Sequence, residues 1–137
     1  MTAARLHETS VELEVPFHDV DAMRVVWHGH YFKYFEVART ALLRARGLDA
    51  GDLVGIRYQL VVIESHCRHT MALRYGDRFR TSAWFRDYAR RLMIGYEIRN
   101  LASGRRAARG HTALATLNEA GELLLETPPE IILRIAG

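Results

Sequence analysis

From Val11 to Phe17 the chain alternates, with Val11, Leu13, Val15 and Phe17 on one side and Glu12, Glu14 and Pro16 on the other. Period two predicts a half-buried strand, and Pro16, which has no N–H for a ladder, marks an edge or strand end. The spacing then changes to steps of three and four. Tyr31, Tyr34, Phe35, Ala38, Ala41, Leu42 and Ala45 predict a helix over about residues 29–46, with Gly47 in the C-terminal capping position. Phe32, Val37 and Leu43 widen the apolar stripe beyond one narrow face, so this helix is expected to be wrapped by other structure.

After the helix the pattern is strand-like to the end. Residues 59–64 (QLVVIE) form a short apolar run followed by polar SHCRH. Residues 78–85 place Phe79, Thr81, Ala83 and Phe85 on one face and Arg78, Arg80, Ser82 and Trp84 on the other. Leu92, Ile94, Tyr96 and Ile98 alternate next, Ser103-Gly104 reads as a hairpin turn, and residues 110–117 continue as a strand. Asn118 to Gly121 is a second turn signal, and a last strand is expected over about residues 130–134. One long buried helix after the first strand, then several antiparallel strands, predicts an α+β fold whose sheet curls round the helix.

At 137 residues this is expected to be one domain over residues 1–137, large enough for a core. The 19 basic and 16 acidic residues leave a net charge of only +3, too weak to read as nucleic-acid binding. The single cysteine, Cys67, permits no internal disulfide. No signal-peptide run and no membrane-length apolar segment is present in the sequence, so a cytoplasmic protein with no membrane partner is expected.

Chemistry concentrates between Phe17 and Phe35, FHDVDAMRVVWHGHYFKYF. Asp19 and Asp21 stand just ahead of the predicted helix, where a carboxylate lies beside backbone N–H groups that no helical carbonyl can satisfy. Base or nucleophile and oxyanion donor are two parts that acyl transfer needs. An extended backbone would point both carboxylates to one side, about 6–7 Å apart at Cα, and Asp19 is expected to anchor the loop by accepting backbone N–H bonds. His28 falls at the helix start. Val26, Trp27 and Tyr31 supply an apolar wall beside Asp21, with Arg24 at its edge.

Other chemistries find little support. His28-Gly-His30 and His66-Cys67-Arg-His69 lack the spacing of a metal motif, so no metal is expected. No residue at a recognisable spacing activates Cys67, and neither a nucleophile elbow nor a Walker A loop occurs. Two basic clusters, Arg90-Arg91 and Arg105, Arg106 and Arg109, could each meet phosphates, because arginine binds them in bidentate fashion.

The stretch from Asp19 to Glu36 resembles the hotdog-fold acyl-CoA thioesterases related to 4-hydroxybenzoyl-CoA thioesterase. Asp19, Asp21, Val26, His28, Tyr31 and Tyr34-Phe35-Glu36 match that family's pattern, while Arg24 replaces its glycine. The resemblance implies a hotdog domain that hydrolyses acyl-CoA to free acid and CoA without a cofactor. It implies Asp21 as nucleophile or general base, the backbone N–H at His28 as oxyanion donor, and Arg90 and Arg91 as contacts to CoA phosphates. It further implies an edge-to-edge homodimer or a homotetramer with shared sites. Arg24 keeps two other readings open, an acyl-carrier-protein thioesterase and a hotdog domain that binds acyl thioesters without cleaving them. With Arg24 at the pocket edge, short or aromatic acyl groups are expected over long alkyl chains, because burying an unpaired charge is costly.

Overall fold

The computed structural model describes residues 5–137. Strand β1 (Leu6–Glu14) is followed by a 3-10 turn (Phe17–Asp19), helix α1 (His30–Ala45) and a short helix α2 (Ala50–Gly55). Strands β2 (Gln59–His69), β3 (Arg78–Asp87), β4 (Leu92–Asn100) and β5 (Arg106–Leu117) come next, and helix α3 (Pro129–Ala136) closes the chain. The five strands form one antiparallel sheet in the order β1-β3-β4-β5-β2. The connection through α1 therefore carries the chain from one edge of the sheet to the other, and the helix lies across the face between them.

That face is built by the expected alternation. Phe79, Ala83 and Phe85 of β3 and Ile94, Tyr96 and Ile98 of β4 are buried, and they meet Tyr31, Tyr34, Phe35, Ala38 and Leu42 of α1. Phe35 stacks on Tyr96 with ring centroids 4.4 Å apart. Each such aromatic or aliphatic side chain contributes about 1.5–3 kcal/mol of burial, which outweighs the modest helix propensity of the aromatic run.

Several expectations need correction. Residues 130–134 are helical: Pro128 and Pro129 set the start, and Ile131 and Ile135, one turn apart, are buried together. Phe17 is not on the buried side of β1. The strand ends at Glu14, and Phe17 is 76% exposed, its ring edge-on to Tyr75. Strand β2 does not stop at residue 64 but runs through the polar SHCRH segment, since the ladder to β5 continues to His69–Ala108. Helix α2 interrupts the span expected to be strand-like, and Asp49 and Asp52 start it with a capping box. Nor is α1 wrapped all round, because Phe32 and Val37 remain 40% and 38% exposed. Gly47 does end α1, at φ 67°.

Candidate active site

The loop between β1 and α1 is held by backbone bonds at short range. Val20 and Val26 form an isolated bridge, the Asp21 N–H donates to Val25 O (3.0 Å), and Arg24 N–H donates to Asp21 O (2.9 Å). This is a turn followed by a residue in the left-handed region, the bulged hairpin arrangement that ordinarily takes glycine. Arg24 occupies that position at φ 66°. The family pattern's glycine thus has a backbone reason, and the arginine side chain is exposed.

The two aspartates do not point the same way. Asp21 is half-buried, and its Oδ1 accepts the Met23 N–H at 2.8 Å, leaving Oδ2 without a hydrogen bond among the described residues. Asp19 is buried. Its carboxylate accepts Lys33 Nζ and the Tyr34 hydroxyl, each at 2.6 Å, rather than the backbone N–H groups expected. The 3-10 turn at Phe17–Asp19 breaks the extended geometry that would have aligned the pair. Burial alone would push the Asp19 carboxyl up, but the hydrogen bonds from Lys33 and Tyr34, with the charges of Lys33 and His30, hold it below the usual carboxylate range. The Tyr34 phenol is held well above its ordinary value by burial and then by the Asp19 carboxylate. This clamp is structural, and its helix partners were not legible as partners in the sequence.

Asp19 also fastens the helix start, since its backbone carbonyl accepts the Trp27 N–H at 3.0 Å. Val26 N–H donates to Leu73 O at 2.8 Å, and Leu73 N–H donates to the Tyr31 hydroxyl at 3.1 Å, so a third segment braces the same corner. Gly29 is the N-cap, already helical at φ −66° and ψ −24°, and His28 precedes it. Neither the His28 nor the Gly29 N–H has a backbone acceptor among the described residues. The Trp27 ring lies against the Gly29 Cα so closely that any side chain there would collide with it.

The His28 imidazole neighbours Trp27 and His69, with ring centroids 5.1 and 6.3 Å away. His69 Nε2 lies 3.3 Å from His28 O and 3.5 Å from Cys67 Sγ, and its ring meets Tyr31 edge-on at 4.6 Å. His69 arrives from the far end of β2, a juxtaposition that only the sheet order creates. Burial pushes the Cys67 thiol up to about 11, which keeps it protonated at neutral pH. Among the described residues no cluster of three His, Cys, Asp or Glu side chains could hold a metal.

Of the expected substrate-wall residues, Val26 and Tyr31 are buried and Trp27 is 48% exposed. Arg90 and Arg91 lie in the turn after β3. Since β1 leaves the sheet opposite Arg78, at the other end of β3, they stand about 30 Å along the strand from the Asp21 loop of the same chain. Arg91 Nη1 donates to the carbonyls of Arg90, Leu124 and Leu125, whereas Arg90 is exposed. Arg106 and Arg109 line a cavity on the opposite face of the sheet from α1.

Residues 15–135 match the thioesterase-like superfamily. A Bacillus subtilis protein with the provisional name acyl-CoA thioesterase YneP is 30% identical over 98 residues, 71% of each chain. The solved DHNA-CoA thioesterase from Staphylococcus aureus is 26% identical, with a TM-score of 0.78 over 86% of this chain and 80% of its own. A hypothetical protein of the same organism, solved in complex with CoA, shares the fold at 18% identity, with a TM-score of 0.85 over 99% of this chain and 86% of its own. With its central helix across a five-stranded sheet and a carboxylate turn at the helix start, the chain belongs to the thioesterase-like superfamily and is a hotdog-fold thioester hydrolase.

Proposed function

We propose that the protein hydrolyses acyl-CoA thioesters to free acid and CoA, with Asp21 as the reacting carboxylate. The observation that carries this reading is the Asp21 turn: one carboxylate oxygen is fixed by the Met23 N–H while the other is free, next to a helix start with unpaired N–H groups. As general base, Asp21 takes a proton from water while the water oxygen bonds to the thioester carbon. As nucleophile, its oxygen bonds to that carbon, and water later opens the mixed anhydride. On either route the His28 N–H and the helix dipole stabilise the oxyanion, and collapse breaks the C–S bond with the electron pair leaving on sulfur. The thiolate then takes a proton from the protonated Asp21 on the general-base route or from solvent on the nucleophilic one.

Trp27 supports a preference for aromatic or short acyl groups. Its half-exposed indole beside His28 and His30 offers a plane on which an aryl group can stack. Release of free thiol from a panel of alkyl and aryl CoA thioesters tests this, with palmitoyl-CoA as the best substrate being the adverse result.

Association of at least two copies fits two further observations. The outer edge of β2 is unpaired and carries Val62 and Ile63, 48% and 50% exposed, and α1 leaves Phe32 and Val37 uncovered. Arg90 could then reach the CoA nucleotide in the site of another copy. Arg90→Ala is expected to raise KM for acyl-CoA and not for a pantetheine thioester; equal effects would remove Arg90 from the site.

A further inference from the structure

The face of the sheet turned away from α1 carries a cavity of about 720 Å³ that the reaction above does not use. Strand alternation builds it, since the residues between the buried ones all point outward. Five arginines line it, Arg5, Arg68, Arg86, Arg106 and Arg109, and Glu97 is the single carboxylate among the lining residues. Glu97 is already shared among Arg99 at 3.2 Å, Arg5 at 3.5 Å and Arg106 at 3.7 Å. Arg68, Arg86 and Arg109 form no ion pair among the described residues.

The register makes this surplus costly. Arg68 of β2 stands directly opposite Arg109 of β5, whose other neighbour, Glu97 of β4, is already taken by the three arginines above, and His66 stands opposite His111 with their rings stacked 5.3 Å apart. Like charges directly opposite on neighbouring strands destabilise a sheet. His111 is held below its ordinary range by burial and by Arg86 and His66 beside it. The floor is firm: the Trp84 indole lies on Gly95, where a Cβ would come within 2.7 Å of the ring, and the Arg5 guanidinium covers the indole at 4.0 Å.

We propose that this cavity binds a ligand carrying two or more phosphate groups, at a site separate from the Asp21 site across the sheet. An anion between Arg68 and Arg109 converts their repulsion into charge-assisted contacts, and Arg86 on β3 is placed for a second phosphate. The volume suits a small molecule, and the arginines are gathered round one half-open hollow rather than spread along a stripe, as nucleic acid would require.

Thermal melts and calorimetry at low salt with pyrophosphate, tripolyphosphate, ATP and orthophosphate test the site. The oligophosphates are expected to raise Tm and to bind at least about tenfold more tightly than orthophosphate, because they engage two arginine groups rather than one. Arg68→Ser and Arg86→Ser should each abolish the shift, while Arg68→Ser without ligand should melt no lower than the wild type. Pyrophosphate should leave wild-type hydrolysis of a pantetheine thioester unchanged. The inference is overturned by equal binding of orthophosphate, by a shift that survives both variants, or by the absence of any shift. Displacement of pyrophosphate by CoA would make the cavity part of the substrate site and end the claim of a separate one. A changed light-scattering mass in either variant would mark the face as a contact between copies instead.

Discussion

The hydroxyl of Tyr34 donates to Asp19 Oδ2 at 2.6 Å, with the tyrosine 3% exposed and the aspartate 1%. Lys33 takes the other carboxylate oxygen, so Asp19 ties the loop ahead of α1 to the first turns of the helix. Asp19→Asn is expected to cost about 1.5–3 kcal/mol, the range for a hydrogen bond to a charged group, and to lower Tm by about 5–10 °C. The pH dependence follows from the depressed carboxyl. Asp19 in the folded state sits below its unfolded value, near 3.9, so its contribution is full above that pH and is lost as pH falls through the folded value. The gap between wild type and variant should therefore be constant near neutrality and close below about pH 4. A gap that widens on acidification would contradict the clamp.

Asp21→Asn should abolish thioester hydrolysis, by at least about a hundredfold, without loss of fold. Asparagine keeps the Oδ1 that accepts the Met23 N–H, so the turn survives and only the carboxylate chemistry is removed. Asp21→Ala should both inactivate and destabilise. Retention of more than about a tenth of activity in the asparagine variant would make Asp21 a turn residue alone.

Arg24→Gly should stabilise the protein. A non-glycine residue in the left-handed region costs about 1–2 kcal/mol, and the greater freedom of glycine in the unfolded chain returns part of that. The net expectation is a Tm rise of about 2–4 °C, while Arg24→Val should lower it. If glycine gives no gain, the side chain makes compensating contacts with a second copy.

Gly29→Ala should move activity and stability in opposite directions. Its backbone is helical, so alanine is tolerated or slightly favoured, but the new methyl must displace the Trp27 ring. A fall in kcat/KM of about tenfold at unchanged or higher Tm is expected, because small displacements near reacting atoms are costly. Unchanged kinetics would take Trp27 out of the substrate wall.

Light scattering should give at least twice the 15.7 kDa chain mass, and Ile63→Lys on the open edge of β2 should shift the protein toward monomer. A wild-type monomer at micromolar concentration would rule out sites shared between copies.

Where periodicity is strong, the sequence and the structure agree. The 3.6 period of α1 and the alternation of β3 and β4 place their buried residues correctly, because one face of each meets the core. The helix of residues 129–136 differs from the expected strand because EIILR satisfies a short strand by its apolar run, whereas the proline start, Glu130 in the first turn and Arg134 in the last favour the helix, and the Arg134 bond to Gly47 O holds it in place. In the site, the Asp21 turn was visible in its residue types. The Asp19 clamp and the approach of His69 were not, since each joins residues 14 to 41 positions apart through the tertiary fold. For Arg24 the sequence leaves turn geometry, pocket filling and substrate choice open, and its positive φ and exposed side chain favour the first.

The three bonds that Asp19 accepts, two at its carboxylate from the helix and one at its carbonyl from the Trp27 N–H, leave the carboxylate turn and the helix start on one continuous piece of chain that is fastened at both ends. Catalytic geometry then has no hinge of its own between base and oxyanion donor. In a denaturant titration, loss of turnover should coincide with global unfolding instead of preceding it, and the amide protons of Arg24, Val26 and Trp27 should exchange with solvent as a single cooperative group.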